Sequence, residues 1–253
     1  MIGLHVLAYN STEYIDKFFD PWIEFKKNNE LLISVGHVCF KEYQEFGYPV
    51  LSADGTHEKL RNYHEQGTID YLDIIEEPLT EAEARTRVLK PLLDQNISCL
   101  LITAPDEEFV LTEIENLFKF VERNPFSVWF RINYRNLTFS EKTFTKGFSP
   151  PRVFRNNSKW QLSHFFADDE PLYIIDDQLV SYLNLVNQNI PVTIVNPLHY
   201  TWLDNERSKE KIKYQTSRWG KDGCSFIYIN DKLCFNERFH KKHGLILPEV
   251  FSL

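Results

Sequence analysis

Acidic side chains gather where the apolar runs of this chain end. Asp106-Glu107-Glu108 follows Leu100-Leu101-Ile102-Thr103, Asp168-Asp169-Glu170 follows His164-Phe165-Phe166, and Asp176-Asp177 follows Tyr173-Ile174-Ile175. Asp54 stands in the turn Ser52-Ala53-Asp54-Gly55-Thr56. Carboxylates so placed can hold a hard divalent cation through oxygen or take a proton from an attacking hydroxyl. Their commoner use is to cap the helix that follows, where a side-chain oxygen meets unpaired N–H groups and the positive dipole end. His199 offers an imidazole of the kind that suits Mn²⁺ and similar ions, although a single histidine after a strand more often has a structural partner. Arg85 carries the planar fork that suits phosphate. It also sits one turn after Glu81, a pairing worth about 0.2–0.5 kcal/mol.

The elements that must position these groups alternate. Ile2-Gly3-Leu4-His5-Val6-Leu7-Ala8-Tyr9 reads as a first strand, and Asn10-Ser11-Thr12 can cap a helix at about 13–28. Leu31 to Phe40 is a second strand, and a short helical stretch leads from the Asp54 turn to His64. Tyr71 to Ile75 is a third strand. Thr80-Glu81-Ala82-Glu83 is a capping box opening a helix to about residue 95, with Ala84, Val88 and Leu92 on one face. Ser98 to Thr103 is a fourth strand, followed by a helix at about 110–122. This rhythm predicts an α/β fold with a mostly parallel sheet flanked by helices. In such sheets ligands bind beyond the carboxyl ends of the strands. Tyr9-Asn10, the Asp54 turn and Ala104 to Glu108 fall there together. Further on, Val128 to Leu137 and Pro151 to Arg155 read as strands, Asp176 to Gln188 as a helix and Pro191 to Val195 as a last strand.

The 253 residues suffice for one large core. No linker interrupts them, so the expected organisation is one domain over residues 1–203 with a C-terminal extension over 204–253. The formal net charge of −8 opposes general binding to a phosphate backbone. No apolar run is long enough to span a bilayer, and no secretory signal is visible at Met1-Ile2-Gly3-Leu4-His5. Cys39, Cys99, Cys224 and Cys234 form no Cys-x-x-Cys pair and read as reduced thiols, so a cytoplasmic protein is expected. The phosphate loop, the Gly-x-Gly-x-x-Gly turn, the Gly-x-Ser-x-Gly elbow and the His-Glu-x-x-His helix are all absent. That excludes the commonest nucleotide hydrolases, dinucleotide dehydrogenases and α/β-hydrolases.

The order of short motifs resembles the family 2 glycosyltransferases. Ala8-Tyr9-Asn10 is similar to that family's Ala-Tyr-Asn turn, and Ser52-Ala53-Asp54-Gly55-Thr56 to its nucleotide loop. Glu83-Ala84-Arg85-Thr86-Arg87 resembles its Ala-Arg-Asn helix start. Leu100 to Phe109 resembles the strand entering its Asp-x-Asp motif, with Ala104 in place of the first Asp. Ile175-Asp176-Asp177-Gln178-Leu179 resembles its Glu-Asp base motif, Leu198-His199-Tyr200 its distal histidine, and Arg218-Trp219-Gly220 with Asp222-Gly223 its Lys-Trp-Gly-x-Asp-Gly segment. The resemblance runs through nearly the whole chain, carried by the motifs' shared order.

It implies a GT-A-like fold and an inverting sugar transfer from a nucleotide-diphosphate sugar to the hydroxyl of a glycan or other acceptor. Asp177, with Asp176 as its neighbour, is implied as the base. Ala8, Tyr9, Asn10, Asp54, Arg85 and Asp106 are implied to hold the donor. Asp106, Glu107 and His199 are implied to hold a divalent cation, Mn²⁺ or Mg²⁺, against the diphosphate's charge. Trp160 and Trp219 are implied as flat surfaces for acceptor sugars. Two alternatives stand beside this: an inactive relative that binds a nucleotide or glycan, which Ala104 keeps open, and a transferase acting on modified DNA.

Overall fold

The computed structural model describes residues 1–146, 149–167, 170–181, 193, 195–203, 205–220, 223–242 and 247–252. The chain divides into two compact units, Met1–Ile132 with Ser149–Asn196 and Asn133–Phe148 with Pro197–Leu253.

The first unit is built on a six-stranded sheet. Its strands are β1 (Ile2–Ala8), β2 (Leu31–Val38), β3 (Tyr71–Ile75), β4 (Cys99–Thr103), β6 (Trp129–Arg131) and β8 (Pro151–Arg155), in the order β3-β2-β1-β4-β8-β6. A two-residue strand β5 (Glu107–Glu108) follows β4. The first four strands run parallel, with Ile2 beside Leu31 and Cys99, and Ser34 beside Tyr71. β8 pairs antiparallel with β4 and β6. β1, β2 and β4 are near-continuous apolar runs because helices cover both faces of a parallel sheet. The predicted α/β architecture with a mostly parallel sheet is therefore the one found.

α1 (Thr12–Lys26) presents Phe18, Phe19, Trp22 and Phe25 to the interior, and Phe25 stacks at 5.5 Å on Phe118 of α5 (Leu111–Arg123). Two short helices follow β2, α2 (Lys41–Glu45) and α3 (Thr56–Glu65). α4 (Glu81–Asp94) lies across the sheet, opened by the Thr80/Glu83 capping box. It approaches β2 so closely that a Cβ on Gly36 would stand 2.5 Å from Val88 Cγ2. A three-stranded antiparallel sheet, β9 (Gln161–Ala167), β10 (Glu170–Ile175) and β11 (Gln178–Ser181), packs Leu162, Phe166 and Tyr173 into the cluster that holds Leu89 and Leu92 of α4.

In the second unit, β7 (Arg135–Thr145) pairs parallel with β12 (Leu198–Leu203) and antiparallel with β15 (Val250–Ser252). α6 (Glu206–Trp219) starts at Asn205, whose side chain accepts from the Ser208 N–H. The hairpin β13 (Phe226–Ile229) and β14 (Lys232–Phe235) buries Phe226 and Leu233 with Trp202, and α7 (Glu237–Lys242) follows. No helix among the described residues is long and apolar enough to cross a membrane.

Two expectations are corrected here. Asp176 and Gln178 to Ser181 do not begin a helix. Asp176 and Asp177 have φ of 49° and 61°, the two left-handed positions of a type I′ turn, and Ile175 pairs with Gln178. The remainder of that predicted helix lies outside the described residues. Thr193 and Val195 are not in a strand, and the rest of the expected strand is also outside the described residues. Pairing of β7 with β12 and β15 draws residues 133–148 into the C-terminal unit, a long-range association that no local composition marks.

Candidate functional site

The strand order reverses at β1. From β1 the chain builds outward through β2 and β3, then returns through α4 to β4 on β1's other side. The loops leaving β1 and β4 therefore part, and the crevice beyond their carboxyl ends is where this architecture binds ligands.

β1 ends at Ala8, which is buried beside His37. Tyr9 donates its hydroxyl to the Pro49 carbonyl at 2.6 Å, and its ring lies 5.8 Å from His37 and 6.4 Å from Tyr43. Asn10 has φ of 46°, a left-handed conformation that asparagine tolerates. Its N–H donates to the Ser52 hydroxyl at 3.2 Å. The Ser52 N–H donates to His37 Nε2 at 3.3 Å, and since an N–H can only donate, Nε2 is an acceptor there. The Ser52 hydroxyl, 2.6 Å from the same nitrogen, donates to it as well. Burial, and then the neighbouring His57, lower the His37 pKa to about 4, so the ring stays neutral.

Asp54 is bound into the same loops. One carboxylate oxygen accepts from the Thr12 N–H at 3.0 Å, at the start of α1. The other accepts from the Thr56 N–H and hydroxyl at 3.0 and 2.7 Å, at the start of α3. Its position ties two helix starts together beyond the carboxyl end of β1.

Beyond β4, Asp106 and Glu107 are both buried. Glu107 accepts from the Thr103 hydroxyl at 2.8 Å and from Arg152 Nη2 at 2.7 Å, so its two oxygens are committed to a buried ion pair. Arg85 gives Nε and Nη2 to a single oxygen of Glu81, at 3.1 and 2.9 Å. Its Nη1 is buried without a hydrogen-bond partner. The Arg85 carbonyl accepts from His5 Nε2 at 3.0 Å. Burial first, then the Arg85 charge, lower the His5 pKa to about 3.

His199 belongs to the second unit. Its Nδ1 donates to Asn136 Oδ1 at 2.8 Å, and its ring lies 5.4 Å from Tyr134. Among the described residues, no three His, Cys, Asp or Glu side chains converge as a metal cage requires. With Glu107 already paired, these side chains do not fit a metal held by the protein alone.

Asp176 and Asp177 lie toward the amino end of the parallel sheet. β8 runs back along β4 until Arg155 pairs with Cys99, and the Asn156 N–H then reaches the Ser98 carbonyl. The turn at Asn157–Trp160 starts β9 from that amino end. Gln161 pairs with Ile174, two residues before Asp176, and Tyr173 donates its hydroxyl to the Arg155 carbonyl at 2.9 Å. The tip at Asp176-Asp177 thus lies toward the end of β4 opposite to Asp106. Trp160 shares that end, packed against the Leu89 and Leu92 cluster with Lys159 Nζ 4.7 Å from its ring centre. Trp219 is 53% exposed, at the end of α6 in the second unit. Asp168 and Asp169 lie outside the described residues.

The motifs do not single out His37 and His57, and they give Ser52 only as a member of the Asp54 turn. Their signal was position: His37 is one residue from the end of β2, level with Ala8, and Ser52 opens the turn that carries Asp54.

No protein-family model matches the chain, and no curated protein sequence matches it. Among solved structures it is similar to S. aureus TarS in complex with UDP, at 16% identity and a TM-score of 0.42, over 61% of this chain and 46% of that one. The complex of S. aureus TarS with UDP-GlcNAc gives 16% identity and 0.42, over 61% and 45%. A nucleoside-diphosphate-sugar pyrophosphorylase from Vibrio cholerae RC9 gives 12% identity and a TM-score of 0.34, over 80% of this chain and 91% of that one. The chain thus spans less than half the length of the TarS chains it resembles.

Proposed function

We propose that the first unit binds a nucleotide-diphosphate sugar in the crevice beyond β1 and β4, and that the protein transfers the sugar to an acceptor hydroxyl, with inversion. The observation that carries this reading is the reversal of strand order at β1, with Tyr9 and Asn10 at one strand end and buried Asp106 beyond the other. Tyr9 supplies a ring for the base, and Asn10 is held by Ser52 and His37. Arg85 has one buried guanidinium nitrogen unpaired, which would move to the diphosphate if Glu81 released the others. A divalent cation here is one that the diphosphate oxygens chiefly hold, since Mg²⁺ commonly keeps waters and substrate phosphates with one or two carboxylates. Asp106 is the protein carboxylate assigned to meet it. Such a cation would offset charge on the leaving diphosphate.

The proton of the acceptor must pass to a base. We assign that role to the acidic cluster Asp168-Asp169, with Asp177 as the alternative, because the Asp176-Asp177 turn lies toward the amino end of the parallel sheet.

The test is calorimetry with UDP, GDP, CDP and ADP, each with and without Mn²⁺, followed by hydrolysis of the sugar conjugate of whichever nucleotide binds. One nucleotide should bind best, and Asp106→Asn should remove the gain from Mn²⁺. Loss of turnover in Asp168→Asn or Asp169→Asn, with nucleotide affinity kept, would assign the base. Failure of all four nucleotides to bind overturns the reading.

A further inference from the structure

The two units carry opposite charge. The second holds 13 Lys and Arg against 8 Asp and Glu, leaving 15 and 28 for the first. The net charge of −8 is therefore the sum of −13 on one unit and +5 on the other. Such asymmetry between parts of a chain marks the basic part as a seat for an anionic partner.

The cations of this unit are interleaved with rings. Lys211 Nζ lies 5.1 Å from the ring centre of Trp202, and Lys209 Nζ lies 5.5 Å from that of Tyr228. The Arg218 guanidinium is 5.2 Å from the ring of Trp219 and 5.9 Å from that of Tyr214. Trp202 itself stacks on Phe226 at 4.4 Å, so Lys211 stands over a packed base. Cation–π contact holds a guanidinium or ammonium in place while its charge still acts on what approaches. Trp219 is 53% exposed, beside Arg218. An exposed indole with a stacked guanidinium suits the apolar face of a sugar that bears a carboxylate, phosphate or sulfate group.

We propose that the second unit binds an acidic saccharide, and that the acceptor of the transfer belongs to this class. The assignment of acceptor rests on the transferase reading; the binding itself does not. A saccharide fits better than a nucleic acid, because the net charge of −8 on the whole chain opposes binding to a long phosphate backbone.

The experiment titrates the full chain with a galacturonate hexasaccharide, its fully methyl-esterified neutral counterpart, a heparin-derived hexasaccharide and a single-stranded DNA oligonucleotide, at low and high salt. At least one acidic saccharide should bind, more weakly at high salt, and the neutral ester should not. Arg218→Gln with Lys211→Gln should weaken binding roughly tenfold, while Arg218→Lys with Lys211→Arg should keep most of it. Nucleotide affinity, measured on the same samples, should be unchanged in both. Binding of the neutral ester as tightly as the acid overturns the proposal, as does binding of neither acidic saccharide. Tighter binding of the DNA gives the surface to nucleic acid instead. Acidic saccharide binding without any nucleotide binding would remove the transferase reading and leave the anionic surface standing.

Discussion

The two ends of the parallel sheet in the first unit carry similar residues and do different work. At the carboxyl end, the chain leaves each strand through a loop whose polar groups serve other loops. Asp54 binds N–H groups of α1 and α3, and Ser52 links Asn10 to His37. At the amino end, the two turns at Asn157 and at Asp176-Asp177 close on themselves. Asn157 accepts from Lys159 and Trp160 within its own turn, and Asp176 and Asp177 form a two-residue hairpin loop. A ligand site needs groups from distant segments around one space, and at the carboxyl end Asn10, His37, Ser52 and Asp54 supply them. Acidity and motif order do not separate the two ends; strand direction does.

The largest expected effect tests whether the carboxyl end is as closed as described. Arg152→Met removes the guanidinium that pairs with the buried Glu107 carboxylate, and should cost about 3–5 kcal/mol in urea unfolding. Adding Glu107→Gln should recover most of it, and a cost below about 1 kcal/mol for the single change would mean the pair is solvated. Acid comes next. His37 and His5 have native pKa values of about 4 and 3, below the ordinary 6.5. The unfolded chain then binds more protons than the native one between those values, so both histidines' contribution is whole above pH 6.5. It falls as the pH drops, by up to about 1.4 kcal/mol per unit for each ring. Stability of the wild type and of His37→Gln at pH 7 and pH 5 measures this, and the difference between the two pH values should shrink in the variant. Asp54→Ala removes caps from two helices and should cost about 1–2 kcal/mol. The same variant should bind nucleotide more weakly, and unchanged affinity would detach Asp54 from the site.

The carboxyl end was legible because its signals are local. Continuous apolar runs gave β1 to β4, and Thr80 to Glu83 opened α4 through its capping box. With their order known, the strand ends pointed to Tyr9, Asn10, Asp54 and Asp106. The amino end was misread because Asp176-Asp177 before an apolar run reads alike as a helix cap and as an I′ turn. Pairing of β11 with β10, a tertiary choice, decided between them. Val128 to Leu137 was expected as one strand but divides into β6 and β7, which join different sheets. The second unit was least legible of all. Its sheet joins strands more than fifty residues apart, and its charge rises from +3 to +5 once residues 133–148 are counted with the C-terminal part.

The smallest expected effect is the sharpest test of the contrast between the ends. Asp177 has φ of 61° at the second position of a two-residue turn, where glycine is the favoured residue. Asp177→Gly should therefore leave the fold intact or stabilise it by a few tenths of a kcal/mol, about the scale of other compatible turn changes. A carboxylate that took the acceptor's proton could not be removed so cheaply, because general base catalysis is worth about 10²–10⁴ in rate. Equal turnover of a nucleotide-sugar conjugate by wild type and Asp177→Gly is the expected result. A hundredfold loss with unchanged stability would return the base to the hairpin tip, and would require the amino end of the sheet to reach the reacting sugar after all.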